Sequence, residues 1–229
     1  SMPFLFDSYE DVDAKLTRAP GEAVGKVVED LGLHLLGVGE NGFRAITNSK
    51  KPIKTLADIA GLKFRVPQSA VLISAYKSFG ANPVPISWAE TFTALQQGVV
   101  DGHDSTIISC APQRITEVAP YVVESDHLAF SEAFQVATKW WNKLPAEDRA
   151  MFQSCVDDTL TMIRKIHDEK DKTECRKSVI EQGAKIITPT NEEKLEWFAR
   201  NKETYKKFPA VKAEWITMIQ DELKAAGLN

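Results

Sequence analysis

Between residues 54 and 110 the chain changes its hydrophobic period at regular intervals. Thr55 begins a short helical pattern, and the apolar stretch 62–66, LKFRV, reads as a strand. Residues 69–79 then place Val71, Leu72, Ala75, Tyr76 and Phe79 at helical spacing, and Gly80 stops that helix. NPVPI is the next extended piece. SWAE, residues 87–90, has the form of a capping box, with Ser87 and Glu90 satisfying each other's backbone amides at the start of a helix that ends at Gly98. VVDGHDS is another strand, and Ser105 or Thr106 opens a further helix. Alternation of this kind belongs to βαβ units, so it predicts an α/β lobe with a mostly parallel sheet.

The flanking segments are less regular. An apolar run at 2–6 is followed by a helical pattern from Ser8; Pro20 sits in the first turn of a second helix reaching about Leu31. LHLLGVGE reads as a buried strand and GFRAITN as a second, short one. After Pro120, SDHLAFSEAFQVATKWW alternates weakly and is too long for one small sheet, which predicts a passage between two lobes. Of Trp140 and Trp141 at its close, at least one is expected in the core. Pro145, with Glu147 and Asp148 in the first turn, starts a helix whose apolar positions run from Phe152 and Cys155 through Leu160 and Ile166 to Val179 and Ile180. That is one helix of about forty residues, or two in line. A short strand, KIITP, and two C-terminal helices finish the chain. There is no internal repeat and no low-complexity segment.

Composition narrows the classes. Of 229 residues, 43% are hydrophobic, enough for a packed core. Twenty-eight basic residues against 32 acidic ones, a net charge of -4, speak against a phosphate-tracking nucleic-acid binder. No run approaches the ~20 apolar residues that cross a bilayer, and no charged-then-apolar leader opens the chain. A signal peptide already removed would leave no trace. Cys110, Cys155 and Cys175 are odd in number and widely spaced, which suggests neither a disulfide framework nor a CxxC site.

The chemistry-bearing residues are few. The chain has no GxSxG, no cysteine with an evident histidine partner and no phosphate-cradling glycine loop. DGHD, residues 101–104, is the one place where a histidine, His103, stands among carboxylates; it could begin a metal or acid/base site, or be a strand end with a turn-forming Asp-Gly. Nothing supplies the remaining metal ligands at motif spacing. His34, His127 and His167 are isolated, and read as structural or solvated. Trp88 lies just beyond a strand, where ligands of open α/β sheets gather. Arg44 and Arg65 each interrupt an apolar strand; arginine is almost never fully buried without a partner. Each either pairs at the surface or, together, they grip a carboxylate, whose geometry guanidinium forks match. Pro67 then stiffens the exit so that the Arg65 fork stays aimed.

NGFRAITNSKKPIKTLADIAGLKFRVPQS, followed by FGANPVPISWAETFTALQQGVVDG, resembles the substrate-binding proteins of tripartite ATP-independent periplasmic (TRAP) transporters, in their dicarboxylate-type branch. The likeness is dense over about 40–104 and looser to the C-terminus, including KWWNKLPAEDRAMFQ. The resemblance implies a two-lobed α/β protein with crossing strands and a long bracing helix, which closes over a small organic anion and delivers it to membrane permease subunits from the periplasm. It implies that Arg65 holds the ligand carboxylate, that Arg44 is a second contact and that Trp88 is an aromatic wall. Where the family commonly reads DGQEN this chain has DGHDS, which puts Ser105 at the position of a ligand-bonding asparagine. The family's opening strands and helices are missing from the chain, so the first lobe is expected to be incomplete.

The sequence therefore leads us to expect a non-catalytic, monomeric carboxylate binder with no cofactor, no metal and no nucleic-acid partner. Its ligand-binding set is Arg65, Arg44, Trp88, Ser105, Phe130 and His103. Residues 1–40 are the remnant of the first lobe, 41–126 the second α/β lobe, 127–183 the crossing strand and long helix, and 184–229 a C-terminal strand and helices. Two alternatives stay open: an α/β enzyme using residues 101–104, and a ligand-sensing domain of the same fold.

Overall fold

The structure, a computed structural model, describes residues 19–190 and 193–194. The sequence readings at 2–18 and for the C-terminal helices lie outside them. In chain order the elements are α1 (Ala19–Asp30), β1 (Leu33–Asn48), a 3-10 turn (Leu56–Asp58), β2 (Lys63–Val66), α2 (Ala70–Ser78), β3 (Asn82–Pro85), α3 (Thr91–Gln96), β4 (Gly102–Thr106), α4 (Ile107–Cys110), a second 3-10 turn (Ile115–Glu117), β5 (Tyr121–Val123), β6 (Ala129–Ala137), α5 (Thr138–Trp141), α6 (Ala146–Lys170), a π-helical turn (Asp171–Cys175), α7 (Arg176–Glu181) and β7 (Lys185–Ile187). The chain divides into two compact units. One comprises Gly42–Phe130 and the described chain from Lys170 on; the other comprises the described residues up to Asn41 together with Ser131–Glu169.

The sheet runs β3-β2-β4-β1-β5-β7, with β6 paired to β1 off that path. The parallel pairings expected are present, β5 with β7 among them, but one central strand runs against its neighbours. β2 is parallel to β3 and β4, but β1 lies antiparallel to both β4 and β5. The two strands expected in residues 33–48 are also one. GENG reads as a break, yet β1 runs straight through it with Gly42 at φ 81°, a conformation that costs glycine little.

Register sorts the first unit's side chains into two faces. Phe64, Val66, Ile46 and Val123 point to one side and pack with Leu72, Tyr76 and Phe79 around α2 and with Ile53, Leu56 and Ile59. Val84, with Ala94, Leu95, Val100 and Cys110, and Ala45 and Val122, with Ile107 and Val179, fill the other side under α3, α4 and α7. Helices thus cover both faces of the sheet, and each fully buried large side chain contributes roughly 1.5–3 kcal/mol. Ser69 caps α2 by accepting the Leu72 amide, and Gly80, at φ 82°, ends it as expected. Gly102 has no alternative: a Cβ there would stand 2.8 Å from the Phe64 ring and closer still to the Thr47 carbonyl.

The capping box at 87–90 does not form. Ser87 Oγ instead donates to Glu90 Oε2 at 2.6 Å, and α3 begins only at Thr91, whose hydroxyl donates to the Ser87 carbonyl at 3.0 Å. Residues 87–90 are therefore a turn before the helix. Thr106 does cap α4, as one of the two residues expected to start it.

In the second unit α6 lies directly on β1: a Cβ at Gly37 or Gly39 would come within 2.6 or 2.9 Å of Leu160. Gln153 donates to the Leu36 carbonyl at 2.8 Å, and His34 stacks on Trp141 with ring centroids 4.8 Å apart. Trp141 is buried while Trp140 is exposed, so one of the pair does enter the core. The long strand read from 125–141 is confined to Ala129–Ala137, followed by the short α5. The long helix is α6 continued through the π-helical turn into α7.

Candidate functional site

β2, β3 and β4 are parallel and end at one edge of the first unit's sheet, the place where open α/β sheets hold ligands. Arg65, next to last in β2, pairs in register with His103, and Ser105 follows two residues on. Strand alternation places Arg65, His103 and Ser105 on the same face. Trp88, in the turn after β3, joins them: the Arg65 guanidinium lies 5.6 Å from the Trp88 ring centroid and the Trp88 and His103 rings meet edge to face at 5.9 Å. Trp88 is 37% exposed, whereas Arg65 is only 4% exposed and His103 is fully buried.

Arg65 is fixed without an acid. Its Nε donates to the Ile86 carbonyl at 2.8 Å, and neither of its Nη groups has an acceptor among the described residues. Burial pulls its pKa below the usual arginine value; the Asp104 charge opposes that shift and the like charge of Arg44 adds to it. The fork is held by the Ile86 carbonyl and the Trp88 ring.

Arg44 lies in register with Thr106, so its side chain leaves from the opposite face of the sheet. It meets Asp104 there: Nε donates to Oδ2 at 2.8 Å, and Nη2 donates to Oδ1 at 3.2 Å and to the Asp104 carbonyl at 2.7 Å. Both partners are buried, and the guanidinium stacks 4.8 Å over Phe130. Burial lowers the Arg44 pKa, but Asp104 more than restores it and the net shift is upward. For Asp104, burial alone would raise the pKa; Arg44 and His127 outweigh it and hold the carboxyl well below the usual carboxylate range. Arg44, the second contact expected from the sequence, is thus paired with Asp104 within the protein. Its Nη1 has no acceptor among the described residues.

His103 and Asp104, adjacent in DGHD, leave β4 from opposite faces. Asp101 is occupied at the other end of β4, where its carboxylate accepts the Lys63 amide at 2.8 Å. Among the described residues no three His, Cys, Asp or Glu side chains converge as a metal site would require. His103 Nε2 lies 4.0 Å from Cys110 Sγ, and burial lowers the imidazole pKa to about 4, so it is neutral at ordinary pH. No two cysteines are bridged.

Two participants escaped the sequence reading. Asp104 was weighed only as part of DGHD, and His127 was read as isolated; yet His127 Nε2 lies 3.3 Å from Asp104 Oδ2 and its Nδ1 lies 2.8 Å from Ser125 Oγ, all of them buried. One signal was available. An acid inside a strand whose neighbours are all buried demands a cation, and Arg44 sits in the strand that supplies one.

Residues 1–211 match the family model described as bacterial extracellular solute-binding protein, family 7, DctP. The chain is 33% identical over 207 residues to the C4-dicarboxylate-binding periplasmic protein DctP of Vibrio cholerae, covering 90% of this chain and 62% of that protein. It is 32% identical over 188 residues to the 2,3-diketo-L-gulonate-binding periplasmic protein YiaO of Escherichia coli, covering 82% and 57%. The chain thus spans less than two thirds of the length of either relative. Among solved structures, the sugar acid binding protein DctPAm of Advenella mimigardefordensis in complex with galactonate superposes with a TM-score of 0.92 at 30% identity, over 98% of this chain and 73% of that one. A TRAP periplasmic solute binding protein of Shewanella oneidensis with bound succinate gives 0.89 at 29%, over 95% and 72%. The two-lobed α/β fold class read from the sequence is the one these neighbours have. With the family model matched from residue 1 to residue 211, the chain belongs to family 7 of the bacterial extracellular solute-binding proteins.

Proposed function

We propose that this chain captures a small organic acid through its carboxylate, without catalysis, and hands it to the permease subunits of a TRAP-type transporter, working in the periplasm. Arg65 is the anchor, Arg44 adds the two N–H of its Nη1, Trp88 and Phe130 are apolar walls, and Ser105 and the neutral His103 meet the ligand's polar groups. The observation that carries the reading is Arg65 itself, a nearly buried guanidinium with both Nη groups unopposed by any described carboxylate. A cation so placed is costly unless a guest neutralises it. The relatives support the ligand class, since those named above bind a dicarboxylate or a sugar acid. Affinity of about micromolar corresponds to ~8 kcal/mol. Charge-assisted bonds of ~1.5–3 kcal/mol each supply part of that, and burial of the ligand supplies the rest.

Titration calorimetry against succinate, galactonate and galacturonate tests the reading. One of these acids, or a related one in a wider panel, should bind, and Arg65→Ala should abolish the heat. An Arg65→Ala protein that binds the same acid with unchanged affinity would refute it.

A further inference from the structure

The indole over Arg65 has little of its own to keep it in place. Trp88 sits in the turn before α3; its carbonyl accepts the Thr91 amide at 3.1 Å, which ties down the backbone, but the ring is 37% exposed. It meets the Arg65 guanidinium 5.6 Å from its centroid, and the His103 ring with centroids 5.9 Å apart and the planes at 64°. His103 is set more firmly. It is fully buried in β4, and its Nε2 lies 4.0 Å from the Sγ of Cys110, itself buried in the apolar cluster with Leu95 and Val100. A thiol is a weak hydrogen-bonding partner but a close-packing one, so the imidazole is fixed from the strand at one end and from α4 at the other. Burial keeps the ring uncharged, and it stands near Arg65 without repelling it.

Arg65 depends on what covers it. Its one bond to the described residues, Nε to the Ile86 carbonyl at 2.8 Å, leaves the guanidinium free to tilt about that bond. An indole held at a constant height stops the tilt and keeps water off the fork; an indole free to lean does neither. His103 pairs in register with Arg65 on the adjacent parallel strand and leaves from the same face, so the ring that meets Trp88 rises from the same level of the sheet as the guanidinium that Trp88 covers.

We propose that His103, steadied by Cys110, is a positioning residue for ligand capture: its ring supports Trp88, and through Trp88 it keeps Arg65 aimed. The inference deepens the carboxylate-capture reading and rests on it for its purpose, but the support is separate from any contact of His103 Nδ1 with the ligand. In 15N spectra of the ligand-free protein, His103→Leu should speed exchange of the Arg65 Nε–H about five-fold and leave that of Arg44, on the other face, unchanged. His103→Phe, which keeps a ring for the indole and has no nitrogen, should restore most of the protection. In a Trp88→Ala background the exchange is already fast, and His103→Leu should add nothing to it. Cys110→Ala should give a smaller acceleration, and it serves if the leucine variant does not fold. Arg65 exchange unchanged in both His103→Leu and Cys110→Ala, or the same acceleration by His103→Leu with and without Trp88, overturns the proposal. Calorimetry with the acid that binds adds the functional arm: about a three-fold loss for His103→Leu, largely recovered by His103→Phe, supports it, and equal weakening by the two variants overturns it, because only the lost nitrogen is common to both. Coupled Arg65 exchange together with unchanged binding by Arg65→Ala would sink the carboxylate reading and leave the support standing.

Discussion

The two faces of the first unit's sheet treat an arginine in opposite ways. On the α2 face Arg44 is neutralised by Asp104, stacked on Phe130 and raised in pKa. On the other face Arg65, hardly more exposed, meets only a carbonyl and an indole, and its pKa falls. The difference lies in what each side chain meets, a carboxylate for Arg44 and a carbonyl with an indole ring for Arg65. Arg44 works for stability first. Arg65 is held at a cost the protein does not recover by itself.

The sharpest way to break this contrast is to remove each arginine. Arg44→Met leaves Asp104 ionised in the core and should cost about 3–5 kcal/mol in urea unfolding, whereas the double variant Arg44→Met/Asp104→Leu should recover most of it. A single variant as stable as the wild type would deny Arg44 its structural role.

Acid separates the faces next. Burial keeps His103 deprotonated in the folded chain down to about pH 4, while the unfolded chain takes up the proton near 6.5. Stability from this group is thus complete above pH 6.5 and drains away as pH falls to about 4, by about 3 kcal/mol. Asp104 runs the other way in position: its carboxyl stays ionised far below the usual range, so its contribution survives that window and is lost only in stronger acid. Unfolding free energies measured from pH 7 to 4 should fall steeply for the wild type and less so for His103→Gln. Parallel curves would contradict the burial argument.

Smaller effects refine the picture. Trp88→Ala removes the ring over Arg65 and should weaken ligand binding about five-fold, ~1 kcal/mol, by calorimetry. Last, Arg65→Ala should change the thermal stability of the ligand-free protein by about 1 kcal/mol or less, because it breaks one hydrogen bond while removing a desolvated charge. A loss as large as that of Arg44→Met would erase the distinction between the faces.

Much of this was legible in residue order. β2, α2, β3 and β4 fall close to where periodicity put them, and Arg65, Trp88 and the turn after β3 were read as neighbours of one strand edge. Failures came where distant chain decided the outcome. GENG carries turn residues, yet β1 runs on through it, and just before it Gly37 and Gly39 leave the room that Leu160 of α6 fills. SWAE satisfies a capping pattern, but the helix starts four residues after Ser87, and the same two side chains bond each other. Arg44 and Asp104 are partners only through the antiparallel register of β1 and β4, which no local pattern encodes.

The amino-acid order by itself determined the alternation of strand and helix, the family and the residue most suited to hold an anion, because hydrophobic period and side-chain chemistry are properties of short stretches. Only the tertiary structure decided which arginine the protein neutralises and that Ser125 and His127 stand behind it, because β pairing alternates side chains between faces and brings together charges that the chain keeps far apart.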